Sequence, residues 1–155
     1  MNIASLANHI KFNDIFEKCK VNGQVSWARV AKCELPQNFI NQYFNQLKPF
    51  QIERLQKLDE TFIDEHSSEL NWFSLLRFQS IPESVIVKNI DKISTLQLWR
   101  LLLKTQKLSL QFLVDHIDDI KKNKDVNMLA LAANASIDDS VKSKVTELVE
   151  SLASS

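Results

Sequence analysis

The chain has 155 residues, 45% of them hydrophobic and 25% charged, and its 19 basic and 19 acidic side chains cancel to a net charge of zero. That balance argues against a nucleic-acid-binding domain, which normally carries a strong basic excess, and no apolar run approaches the roughly 18 residues needed to cross a bilayer. A single glycine and three prolines disfavour tight hairpins and glycine-built catalytic loops, so helices joined by short turns, an all-α protein, are expected.

The opening, MNIASLANHI, lacks the basic region and long apolar stretch of a secretory signal, which points to a soluble, cytoplasmic protein. Ile3, Leu6, Ala7 and Ile10 stand at helical spacing and predict an amphipathic N-terminal cap. Cys19 and Cys33 have no CxxC spacing and fall in segments that read as neighbouring helices. Reduced, buried thiols fit them better than a disulfide framework.

From Trp27 onward the sequence repeats. Trp72, Leu75, Leu76 and Gln79 stand at i, i+3, i+4 and i+7, and Trp99, Leu102, Leu103 and Gln106 have the same spacing. Each set is one helical face. Trp27, Val30, Ala31 and Glu34 extend the register at one end, and Met128, Leu131, Ala132 and Ala135 extend it at the other. The copy containing Gln56 is the most divergent, with Pro49 in the tryptophan position and Glu53 at i+4. The other half of each unit repeats as well: Leu35, Phe39, Ile40 and Leu47 correspond to Leu58, Phe62, Ile63 and Leu70. Ile81, Val85, Ile86 and Ile93 follow, then Leu108, Phe112, Leu113 and Ile120.

Pro36, Asp59, Pro82, Ser109 and Asp138 follow the first apolar residue of each unit, a place suited to the start of a helix; Asn71 and Ser94 are candidate caps for the second helix. Each unit is therefore a pair of short helices. Thr95 to Leu98 insert about one helical turn, which keeps the apolar face in phase. A pair this short cannot bury its stripe alone, so neighbours must stack into an α-solenoid-like array. The organisation expected over 1–155 is a single helical repeat domain: an N-terminal cap with a divergent repeat over 1–34, four helix pairs over 35–136, and a capping helix over 137–153. Val141, Val145, Leu148, Val149 and Leu152 line one side of that last helix, with Lys142, Lys144, Glu147 and Glu150 on the other.

The phrase LDETFIDEHSSELNWFSLLRFQS followed by IPES, and later LSLQFLVDHIDD, resembles the short tandem helical-hairpin repeats of bacteriophages and large DNA viruses. Their pattern is Leu, then Ser, Pro or Asp, two residues, Phe-Ile, a later Leu-x-Trp and a Gln. The likeness spans roughly residues 25–137, with departures at Pro49, Val85 and Met128. It implies a stacked helical array without shared catalytic residues. It also implies a virus- or phage-encoded factor that engages and modulates a host or viral complex, for example a defence or gene-expression machine, in the host cytoplasm.

Candidate chemistry is sparse. His66 and His116 recur at one position of the repeat without HxxxH or Cys/His spacing, so no metal, cofactor or small-molecule site is assigned. Gln56, Gln79 and Gln106 are polar residues on an apolar stripe, suited to bracing helix ends with their amides. Trp27, Trp72 and Trp99 belong to the core. Five residues after each tryptophan position stand Lys32, Arg54, Arg77 and Lys104, about 140° from it around the helix. Phe50 and Phe73, one residue after that position, flank this basic row. Acidic residues gather on the first helices at Asp64, Glu65, Glu69, Asp115, Asp118 and Asp119. There is no Gly-rich phosphate loop, GxSxG elbow or HExxH. The expected function is a non-enzymatic protein-binding module using Lys32, Phe50, Arg54, Phe73, Arg77 and Lys104. The alternative is a nucleic-acid-binding repeat protein that sets the same basic row against phosphates.

Overall fold

In the computed structural model, which describes residues 2–154, the chain is mostly helical. Helix α1 (Ile3–Lys18) leads into a hairpin of β1 (Lys20–Val21) and β2 (Gln24–Val25), followed by α2 (Trp27–Val30). Then come α3 (Gln37–Tyr43), α4 (Pro49–Leu55), α5 (Glu60–Glu65), α6 (Trp72–Phe78) and α7 (Glu83–Lys88), a 3₁₀ turn at Ile90–Lys92, and α8 (Leu96–Thr105). Helices α9 (Leu110–Asp115), α10 (Ile117–Lys121), α11 (Lys124–Ala132) and α12 (Asp139–Ala153) complete the chain.

The hairpin corrects the expectation that a single glycine disfavours tight hairpins. Asn22 and Gly23 both have positive φ, 53° and 79°, between paired strands. Two such residues are what a two-residue connection with the strands' own twist requires. One Asn-Gly pair suffices.

Local chemistry starts the helices where the repeat predicts. Pro36, Asp59, Pro82, Ser109 and Asp138 are all N-cap residues. Asp59 accepts from the Phe62 amide at 2.8 Å and Ser109 from the Phe112 amide at 3.1 Å, each satisfying an orphan donor of the first turn. Asn71 caps α6, but Thr95, not Ser94, caps α8.

Apolar burial follows the repeat columns. Ile52, Leu75, Leu76, Leu102 and Leu103 from the second helices, and Phe39, Ile40, Phe62, Ile63, Ile86, Phe112 and Leu113 from the first, join one contiguous cluster running from Phe12 to Val149. Helix α4 packs on α6, α6 on α8, α8 on α11 and α11 on α12, while α5 packs on α7. Trp72 and Trp99 are buried; Trp27 is only half-buried, its ring edge-on to Phe16 with centroids 5.8 Å apart.

The amides brace one unit against the one before it. Gln79 Nε2 donates to the carbonyls of Glu53 and Gln56, at 2.6 and 2.7 Å, while its Oε1 accepts from the Leu58 amide at 3.1 Å. Gln56 treats Ala31, Cys33 and Leu35 in the same way, and Gln106 treats Leu76, Gln79 and Ile81 likewise. A second brace joins the first helices. The Asp59 amide donates to Gln37 Oε1 and the Ser109 amide to Glu83 Oε2; between them stands Pro82, which has no N–H to satisfy.

Both ends differ from expectation. The final unit's buried face is Asn127, Ala130, Leu131 and Asn134, one residue out of register with Met128, Leu131, Ala132 and Ala135. Asn134 takes the glutamine's place: its Nδ2 donates to the carbonyls of Leu103 and Gln106, both at 2.8 Å. At the other end, Ile3, Leu6 and Ile10 are exposed, and α1 is anchored through Phe12 and Ile15. Ile3 and Phe12 are nine residues apart, which is half a turn around a helix; α1 therefore turns its expected apolar stripe outward. Helix α12 buries Val145 and Val149 as its periodicity predicts.

Candidate functional site

The basic row lies at the ends of the second helices. Arg54, Arg77 and Lys104 occupy the last turns of α4, α6 and α8, where unpaired carbonyls favour a cation. Lys32 follows α2. All four are exposed, as are Phe50 and Phe73. Helix-end electrostatics alone explain a basic residue at each of these places; what the residues do together depends on their neighbours.

Arg54 and Arg77 converge on Phe78, their guanidinium carbons 5.6 and 5.2 Å from the ring centroid. Both lie within cation–π range of one ring. Arg77 also reaches a groove of about 270 Å³ lined by Phe73, Arg77, Gln97, Arg100, Leu101 and Lys104. Beyond it, Arg100 and Lys104 border a second groove of about 230 Å³ with Val126, Leu129, Ala130 and Ala133. The two cations line both grooves, which therefore adjoin, side by side, as a double trough across α6, α8 and α11. Lys32 and Phe50 line neither groove.

The participants that escaped the sequence reading include Phe78, Arg100, Leu101 and Leu129. Arg100 follows Trp99 as Phe73 follows Trp72, so its column was visible, but a change from aromatic to cation hid its place in a binding edge. Leu129 is 73% exposed, and the displaced register of the last unit obscured it.

The charges on the two edges differ in how they are satisfied. Among the described residues, none of Lys32, Arg54, Arg77, Arg100 and Lys104 makes an ion pair, whereas Asp64 meets Lys88, Glu69 meets His66, Asp118 meets Lys121 and Asp119 meets Lys122. Hydrogen bonds from Lys88 and Asn89 lower the Asp64 pKa. Four of the six clustered acids are thus paired, Glu65 and Asp115 making no ion pair among the described residues, whereas the basic edge is open throughout.

His66 ends α5 half-buried, 2.9 Å from Glu69 and stacked near Phe44 and Phe62. His116 repeats the arrangement with Asp119, Phe112 and Trp99. These are packed helix-end residues, each half-buried against aromatic rings. Cys19 and Cys33 are free thiols with sulfurs 3.4 Å apart; Cys19 is buried and Cys33 half-buried. Among the described residues no three His, Cys, Asp or Glu side chains gather as metal ligands, and no helix is long and apolar enough to cross a membrane.

The class defined by these features is a mostly helical protein whose second helices present an open cationic and apolar edge. Comparison with protein-family models, curated proteins and solved structures finds no match. Function has to be argued from the site itself.

Proposed function

We propose that the chain is a non-enzymatic protein-binding module built as an α-solenoid-like array of helix pairs between capping helices. The carrying observation is the open edge where Arg54, Phe78, Arg77, Phe73 and Lys104 stand side by side without acidic partners. Repeat arrays use one periodic face for partners, and unpaired charge interleaved with exposed aromatics suits protein recognition. The resemblance to phage and viral repeats supports a virus- or phage-encoded factor that modulates a host or viral complex in the cytoplasm.

Affinity capture with the wild type and with the double variant Arg54→Glu/Arg77→Glu tests this reading. The wild type should retain a specific protein and the variant should lose it, with circular dichroism and melting temperature nearly unchanged, because exposed substitutions usually alter stability by no more than about 0.5 kcal/mol. A partner bound equally by both leaves the row a solvated face. Retention of DNA or RNA with a steep salt dependence would replace protein binding by nucleic-acid binding.

A further inference from the structure

We infer that the trough across α6, α8 and α11 receives an acidic amphipathic helix of the partner protein. This inference rests on the protein-binding reading and adds the chemistry of what is bound. Three cations, Arg77, Arg100 and Lys104, border the trough, and no acidic residue lines either of its halves. Apart from Gln97 its lining is otherwise apolar: Phe73 and Leu101 on one side of the shared cations, Val126, Leu129, Ala130 and Ala133 on the other. A ligand that satisfies both properties carries carboxylates in line with an apolar stripe.

Secondary structure narrows the form of that ligand. The two-residue strands β1 and β2 are the only strands among the described residues, and they lie in the hairpin before α2, so the trough has no strand edge to extend. A helix laid in a groove between helices reads apolar anchors at i, i+3, i+4 and i+7 and leaves its flanking positions for charge. Leu101 and Leu129 then meet the anchors, and Arg77, Arg100 and Lys104 meet the flanking carboxylates. Nucleic acid fits less well, because the aliphatic lining offers one ring, Phe73, where a base-stacking platform needs several. A second copy of the chain fits less well too, since most of its clustered acids are already held: Asp64 by Lys88, Glu69 by His66, Asp118 by Lys121 and Asp119 by Lys122.

Fluorescence anisotropy with defined probes tests the assignment. The probes are a labelled helical peptide with leucines on one face and glutamates flanking it, a control of the same composition with its leucines scattered round the helix, and a single-stranded oligonucleotide. The amphipathic peptide should bind in preference to both others. Arg100→Glu/Lys104→Glu should weaken it by about tenfold or more, as expected for reversing charges at a complementary contact. Leu129→Asp should weaken it as well, while Lys32→Glu, outside the trough, should not. If either trough variant loses helicity, Arg100→Gln/Lys104→Gln reads the same contacts. Equal binding of the two peptides, or no effect of the trough variants, overturns the inference. Tighter binding of the oligonucleotide replaces it with a nucleic-acid site, and a dimer in light scattering that dissociates in the double variant assigns the trough to a second copy. Should no peptide bind while affinity capture still yields a partner dependent on Arg54 and Arg77, the inference falls and the protein-binding reading stands. Loss of both results removes both.

Discussion

The side-chain nitrogen of Gln79 lies 2.7 Å from the backbone carbonyl of Gln56, and the backbone carbonyl of Gln79 in turn receives the side chain of Gln106 at 3.0 Å. Each amide is thus tied by its side chain to the unit before it and by its backbone to the unit after it. A glutamine on an apolar stripe stays buried because both ends of its amide are occupied.

Replacing Gln79 by leucine keeps the volume and removes these bonds. The Leu58 amide and the carbonyls of Glu53 and Gln56 then lose their partner, which should destabilise the fold by about 1–3 kcal/mol. At this chain length that corresponds to a fall in melting temperature of roughly 2–4 °C per kcal/mol. Urea unfolding of the wild type and the variant checks it; unchanged stability would mean that the bonds contribute nothing net.

Glu53 stands where Leu76 and Leu103 stand in later units, fully buried, with Oε1 accepting from the Asn71 amide at 2.7 Å and Oε2 without a partner. Burial raises its pKa, partly offset by the Asn71 amide and by the nearby Ser74. In the window above the ordinary carboxyl value of about 4.3, the folded state keeps a proton that the unfolded state has lost. Stability should therefore fall as pH rises through that window. Melting temperatures of wild type and Glu53→Gln, measured from pH 4 to 7, should diverge in slope, with the wild type losing more. Parallel curves would show an ordinary carboxyl.

The Cys19 thiol is pushed up to about 11 by burial and by its contact with Cys33. Thiolate, not thiol, reacts with alkylating agents, so Cys19 should resist iodoacetamide at pH 7.5 in the folded protein and react once the protein is unfolded. Peptide mapping by mass spectrometry reads this directly. Rapid modification of Cys19 under native conditions would place the sulfur in a different environment.

Gly23 has φ +79°, and a Cβ built there meets nothing within 4 Å. Substitution by alanine therefore tests backbone conformation without steric conflict. A non-glycine residue in this region costs about 1–2 kcal/mol, and Gly23→Ala should lower stability by that amount, as measured by chemical denaturation. No loss would mean that the turn relaxes freely.

Much of the helical pattern was legible because burial imposes a period on apolar residues: the columns beginning at Trp72 and Trp99 occupy the core, and the cap residues at Asp59 and Ser109 start helices. What escaped follows from polar residues used in apolar places and from lone apolar stripes. Met128 looked like the core residue because it is apolar, but Asn127 fills the buried position and donates to the Ile120 carbonyl at 2.9 Å. Ile3, Leu6 and Ile10 have helical spacing, yet periodicity gives a face and not its partner, and Phe12 and Ile15 were the residues with something to pack against. The basic row was visible as a column; its meeting at Phe78 and its extension through Arg100 depend on contacts between units, which spacing within one unit does not record.

The bracing amides of Gln56, Gln79, Gln106 and Asn134 point backward along the chain. Their carbonyl acceptors precede them by 23 to 31 residues, and at the last rung Asn134 closes the series by accepting from its own near neighbour, the Ser136 amide. During synthesis, which exposes the N-terminal part of a chain first, every acceptor leaves the ribosome before the side chain that needs it. Each of these side chains can therefore lock onto structure already made as it emerges, while the carbonyls of the newest unit stay open until the amide that follows them is made.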